Sequence, residues 1–423
     1  MKKDDVILVD DGYKVTRIMY LLEAAFEYFI SLSFGGAYLS RITAYLGISD
    51  SVTATLTSVV ALTHLFMFGS LLLAHFNPVK RWVVGAHILS HTFAIFIYFI
   101  PVLNLSLTLK TILLFVLLGA TYAIHYVVNA PKISWLMSAV NDSKRGEYTA
   151  IKEIISLLGG TLFVYLLGYS LDIANKKTAF IVVGIILIIV CILHTLTLIF
   201  SKEKPLEFKE KLNLKENIKS LFTNKEFLKV VVILCVWYLI NHGVVNFTGT
   251  YQVNELKFTA TYTSIISIIA MLARAVLSKQ FGKFGDKHTF MKLIILSFCI
   301  ETVAFLCLAF TIPSNGKVMY MVYSILHSVG MAGISMSLIN LTYEVVSRSQ
   351  RTSAYAVANA LAGISGFVVT LILNPIFDHI QASGNRVFGL SLYAQQFFAI
   401  IAVVCLLVVI IWLSLKQKRK SQK

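Results

Sequence analysis

Two glutamates four residues apart, Glu23 and Glu27, stand inside an otherwise apolar stretch near residues 17–40. In a helix that spacing puts both carboxyls on one face. Burial and mutual repulsion make it hard for both to stay charged, the setting in which a side chain takes up and gives back a proton. A second apolar stretch, 108–140, carries Tyr122, His125, Tyr126, Asn129, Lys132 and Trp135. His125, Asn129 and Lys132 share a helix face, and Pro131 frees a backbone carbonyl there. If the two helices run in opposite directions, Lys132 lies at the depth of Glu23. Glu23 then either serves coupling or substrate contact, or is the ion-pair partner of Lys132. His125 is either a functional group or a hydrogen-bonded packing residue. A third stretch, 227–254, holds Trp237, Tyr238, Asn241, His242 and Asn246. Amides and aromatics together suit a polyol or a heterocycle, bonded at its edges and stacked on its faces; they also serve as interhelical contacts worth less than about 1 kcal/mol each. His327 and Asn340, in 316–346, extend the set, whereas His64, His87 and His91 read as satisfied packing residues.

Other chemistries lack their residues. There is no Walker A sequence, no HExxH or GxSxG, and no His/Asp cluster with metal spacing. The chain therefore reads as no enzyme, with no cofactor and no metal, driven by a gradient rather than by ATP.

The elements that position these groups are membrane spans. Of 423 residues 57% are hydrophobic and 14% charged, against about 25% charged in soluble proteins. Apolar windows fall near 17–40, 50–76, 82–103, 108–140, 147–172, 177–200, 227–254, 259–281, 288–312, 316–346, 352–380 and 392–415, each long enough for a ~30 Å hydrocarbon core. The fourth and tenth are long. With the N-terminus inside, 27 of the 37 Lys and Arg fall on inner segments and 7 on outer ones. That asymmetry predicts a multi-pass protein of the cytoplasmic membrane with both termini in the cytoplasm. The net charge of +16 thus belongs to membrane-flanking loops and not to nucleic-acid binding. Five cysteines lie within the spans, so no disulfide framework is expected.

The segment 201–226 divides the spans six and six, predicting an N-terminal bundle (1–200), a linker (201–226) and a C-terminal bundle with a basic tail (227–423). In the linker Leu206, Phe208, Leu212, Leu214, Ile218 and Leu221 among charges fit either an amphipathic surface helix or a solvated connection. At a constant offset of 206, Arg145 matches Arg351, Ala150 matches Ala356, Gly160 matches Gly366 and Asp172 matches Asp378. This is a duplication of six-helix halves, the plan of parallel-repeat transporters.

With Gly282, Asp286, Lys287 and Lys292 between the eighth and ninth spans, the chain resembles the major facilitator superfamily. The equivalent first-half loop keeps Lys80 and Arg81 but has neither the Gly nor the Asp. The resemblance implies an all-α fold of twelve transmembrane helices in two pseudo-symmetric bundles, with spans one, four, seven and ten around a central cavity. It implies a monomeric secondary transporter of a small solute, coupled to a proton or another ion and working by rocker-switch alternating access. Uptake, efflux, Na+ coupling and uniport are alternatives, as is a transport-inactive sensor or scaffold. Under this plan Arg145, Glu153, Arg274, Asp286, Lys287, Glu344 and Arg351, with Lys152, form gating salt bridges at the cytoplasmic ends. Glu301 falls in the peripheral ninth span, where it faces lipid unless a neighbour pairs with it.

Overall fold

The structure, a computed structural model, describes residues 7, 12–73, 78–141, 144–173, 175–204 and 214–421. Among these, fifteen α-helices run in order: α1 Lys14–Ser33, α2 Gly36–Leu46, α3 Asp50–Leu62, α4 Met67–Leu73, α5 Val79–Phe99, α6 Leu107–Met137, α7 Arg145–Leu171, α8 Lys176–Phe200, α9 Leu214–Thr223, α10 Lys225–Thr250, α11 Ala260–Lys287, α12 Phe290–Ala309, α13 Gly316–Glu344, α14 Arg351–Ala382 and α15 Ala394–Ser421. Short polar side chains start several of them. Ser49, Ser106, Asn175, Asn224, Thr259 and Thr289 each accept a first-turn N–H, satisfying donors a helix start leaves open.

Eleven spans are single stretches long and apolar enough to cross a bilayer, with α3 and α4 joined by a tight turn into one; α1 and α2, bent by 40°, count together as the twelfth. The expected limit of the first span, near residue 40, falls short: the chain breaks at Phe34 and Gly35 and continues as α2 to Leu46. The fourth and tenth spans are long, at 31 and 29 residues. Between α14 and α15, Arg386–Val387 (β1) and Leu390–Ser391 (β2) form a small antiparallel hairpin.

Numbering the spans one to twelve, the helix contacts repeat with a shift of six. Spans 1 and 5 pack as 7 and 11 do, 1 and 6 as 7 and 12, 2 and 4 as 8 and 10, 3 and 4 as 9 and 10, and 3 and 6 as 9 and 12. The 206-residue offset has the same meaning in space. Arg145 and Arg351 open α7 and α14. Gly160 lies against Tyr28 of α1 and Gly366 against His242 of α10, where an added Cβ would stand 2.6 and 2.7 Å from a ring carbon.

Helix α9 falls within the stretch read as the linker. Leu221 is buried on it; Leu206, Phe208 and Leu212 lie outside the described residues. Gln350 donates to Ser220 at 2.6 Å and Asn224 donates to the Val345 carbonyl at 2.8 Å, fixing the region to the second half.

The halves meet through spans 2 and 11 and spans 5 and 8, a pair that the repeat exchanges, and through spans 1 and 7. Many of their hydrogen bonds gather at the face opposite the start of α1, called here the far face. Asp172, just past α7, accepts the N–H groups of Ala260 and Thr261 at 2.8 and 2.7 Å, capping the start of α11 from the other half. Arg41 donates to the Phe258 carbonyl at 2.7 Å. Asp50 accepts from Asn254 at 2.6 Å and from Gln381 at 3.0 Å, and Asn374 donates to Thr55 at 2.6 Å. Span 1 meets span 7 at Gly249, where a Cβ would fall 2.5 Å from Ser40 Oγ and against the Gly36 carbonyl. The molecule is closed at its far face.

Candidate functional site

Helices α1 and α6 run antiparallel, which brings Lys132 level with Glu23 and Glu27. Its ammonium lies 2.7 Å from Glu23 Oε1 and also pairs with Glu27 Oε1. One cation thus bridges two carboxylates on one helix face. Glu23 and Lys132 are each 1% exposed, while Glu27 is 27% exposed. Two further groups complete the network. His194, from α8, sets Nε2 3.3 Å from Glu23 Oε1, and His125, two turns along α6 from Lys132, sets Nδ1 3.3 Å from Glu27 Oε1. An ion pair withdrawn from water needs further hydrogen bonds to offset its desolvation, and each histidine adds one contact to the carboxylate oxygen that Lys132 holds. With neutral imidazoles the formal charge of the network is −1, so one added proton brings it to zero. Glu23 pairs with Lys132, as one of its two sequence readings has it.

From His125 a row of rings leads toward the second half. His125 lies 5.3 Å from Tyr126, Tyr126 4.6 Å from His64, and His64 6.2 Å edge-on from Tyr238. Tyr238 then lies 5.0 Å from His242. His242 and Asn246 approach at 3.3 Å, and Asn246 donates to Thr370 at 2.8 Å. This row joins the fourth, second and seventh spans, with polar edges and aromatic faces exposed to one another.

Other candidates lie elsewhere. Trp135 is buried and donates to the Lys202 carbonyl at 3.1 Å, so it packs the end of α6 instead of lining a cavity. Trp237 is also buried, stacked 5.5 Å from Phe298 in the interior of the second half. Both indoles belong to the core, because the polar residues of α6 and α10 do not dictate which neighbour a large indole on the same helix turns toward. Asn129 and Asn241 each hold a buried amide oxygen without a hydrogen-bond partner. Asn340 donates to Met336 of its own helix. His327 is drawn off to Glu301, at 2.9 Å. Glu301 thus has the neighbour that the sequence reading left open, and it is fully buried between the ninth and tenth spans.

Of the expected gate residues, Arg145 opens α7. Among the described residues none of Glu153, Arg274, Asp286, Lys287, Glu344 and Arg351 makes an ion pair with the opposite half; Arg351 lies 5.1 Å over the Tyr343 ring of its own half. Lys152 turns toward Tyr20 in the same bundle, 3.4 Å from its hydroxyl. Among the described residues, many of the hydrogen bonds between the halves lie at the far face, through Arg41, Asp50 and Asp172, which sequence reasoning did not single out as a gate; Tyr28 of α1 also donates to Met271 Sδ of α11 at 2.7 Å. Asp50 and Asp172 mark helix ends near loops, the one available signal, whereas Arg41 lies within α2.

Three histidines gather beside the charged network. His87 and His91, one turn apart on α5, and His194 on α8 have ring centroids 5.6, 5.0 and 4.7 Å apart in pairs. His87 and His91 were expected as satisfied packing residues; instead His87 Nε2 and His194 Nδ1 have no hydrogen-bond partner. His194, missed in the sequence, stands alone in a strongly apolar stretch 103 residues beyond His91.

The profile of the Major Facilitator Superfamily matches residues 19–370 and 255–423. No curated protein matches the sequence. Among solved structures, a point mutant of the nucleoside transporter NupG aligns with a TM-score of 0.72 at 12% identity, covering 94% of this chain and 99% of its own. An auto-inhibited POT family peptide transporter aligns at 0.71 and 12% identity, covering 96% and 97%. A D-xylose–proton symporter aligns at 0.67 and 13% identity, covering 93% and 96%.

Proposed function

Because this chain belongs to the major facilitator superfamily, we propose that it is a proton-coupled secondary transporter that moves a small polar solute by alternating access, with Glu27 as the proton-carrying group. The observation that carries this reading is the charge imbalance around Lys132, one ammonium shared by two carboxylates. Glu23 is fully enclosed, whereas Glu27 is partly open and shares its Oε1 between Lys132 and His125. A proton arriving at Glu27 frees Lys132 to pair with Glu23 alone and leaves the network neutral. Neutral and ionised states then differ in their cost of enclosure, which ties the proton to the rocking of the halves.

The solute site is the ring row from Tyr126 and His64 to Tyr238, His242 and Asn246. Aromatic faces with amide and imidazole edges suit a neutral polyol or heterocycle. The excess of Lys and Arg on the termini side supports a cytoplasmic location for both ends; far-face closure then corresponds to a state opening toward the cytoplasm. Glu27→Gln in proteoliposomes should abolish proton-driven accumulation while retaining solute exchange. Gradient-driven uptake with unchanged pH dependence in this variant would overturn the assignment.

A further inference from the structure

We propose that His87, His91 and His194 form a binding site for a divalent transition metal of the zinc class, set inside the first half and apart from the solute row. One ligand atom from each lies within 4.8 Å of the other two, and all three residues are buried. Three imidazoles around Zn2+ need bonds of about 2.0–2.1 Å, hence a contraction of about 1 Å that ring rotations supply.

The hydrogen bonds assign the donor atoms. His194 commits Nε2 to Glu23 and leaves Nδ1 without a partner. His91 turns Nδ1 toward the Thr195 hydroxyl at 3.4 Å, leaving Nε2 for a ligand bond. His87 Nε2 is buried with no partner. Buried polar atoms in a native fold normally have partners, and two orphaned imidazole nitrogens in a cluster whose ligand atoms lie within 4.8 Å of one another point to something that completes them. A metal-bound histidine typically fixes its second nitrogen on a carboxylate or other acceptor; His194 with Glu23 has that arrangement. Glu23, Glu27 and His194 also fall within ligand distance of one another, but there Lys132 already occupies the cation position. The net −1 of that network supplies counter-charge to a dication beside it. His125, 25% exposed and 6.2 Å from His87, lies on the route inward from the solute row.

The test uses full-length protein in nanodiscs, stripped with chelator and titrated with Zn2+ alone. One Zn2+ per chain is expected by elemental analysis, and Co2+ in its place should give the visible bands of a tetrahedral, nitrogen-ligated ion. His87→Ala or His194→Ala should abolish stoichiometric binding at the same free Zn2+, and Glu23→Gln should weaken it about 10–100-fold. Substituting the exposed His288 by Ala should change nothing. Less than one equivalent bound, no tetrahedral Co2+ spectrum in the wild-type chain, or full stoichiometry in the His87→Ala/His194→Ala double variant would each overturn the proposal. The wild-type spectrum decides even if a variant misfolds. The readout is metal binding, so failure of Glu27 as proton carrier leaves it untouched.

Discussion

Replacing Lys132 by Met puts the charged network under its most severe strain. The change removes the one cation from Glu23, which is 1% exposed and left with His194. Leaving a buried charge unpaired costs about 3–5 kcal/mol. Protonating the carboxyl at pH 7 instead costs about 3.7 kcal/mol, from an ordinary carboxyl pKa near 4.3. Either route gives about 4 kcal/mol. Glu23→Gln should be much milder, because Lys132 keeps Glu27 as a partner; the loss is one charge-assisted hydrogen bond, about 2 kcal/mol. In the double variant only Glu27 lacks a cation, and its 27% exposure lets water relieve it. The double variant should therefore lose about 3 kcal/mol against about 6 for the sum of the singles, a coupling energy near 3 kcal/mol. Reversible unfolding in mixed micelles, followed by the fluorescence of Trp135 and Trp237, measures all three. A double variant no more stable than Lys132→Met, or Glu23→Gln as damaging as Lys132→Met, would refute the bridge.

The far face can be opened by a change at one helix end. Asp172→Ala removes a cap worth about 1 kcal/mol from the start of α11 and should raise the far-face-open population about five-fold; spin-label distances between the end of α7 and the start of α11 that stay unchanged would contradict this. Gly249→Val places atoms against Ser40 and the Gly36 carbonyl. A disulfide engineered between the far ends of α2 and α10 should form several-fold more slowly in that variant, and an unaltered rate would show that spans 1 and 7 do not meet there.

Much of the fold was readable because long apolar windows and basic loops follow from the bilayer itself. The duplication was readable because helix starts such as Arg145 and Arg351, and contact glycines such as Gly160 and Gly366, keep one offset. Within the site, Glu23, Glu27 and Lys132 were legible as charges that an apolar span does not carry without reason. Rotation was not. Trp135 and Trp237 stand on spans expected around the cavity and lie in cores, since a polar face elsewhere on a helix does not say which neighbour a large indole turns toward. Pairing across spans was equally hidden: Glu301 finds His327, and His194 finds Glu23, over 26 and 171 residues of sequence. Nor does a carboxylate that bonds backbone N–H groups, as Asp172 does, leave any complementary residue to look for.

That last property bears on inheritance. At Asp172 and Arg41 the shortest bonds of each clasp reach the main chain, the amide groups of Ala260 and Thr261 and the carbonyl of Phe258, with the Thr263 hydroxyl 3.5 Å from Arg41. Those bonds ask of residues 258, 260 and 261 only a backbone group in place, while packing keeps the buried Ala260 small. The first half carries these two fastenings alone, so a chimera joining it to a related second half should still shut.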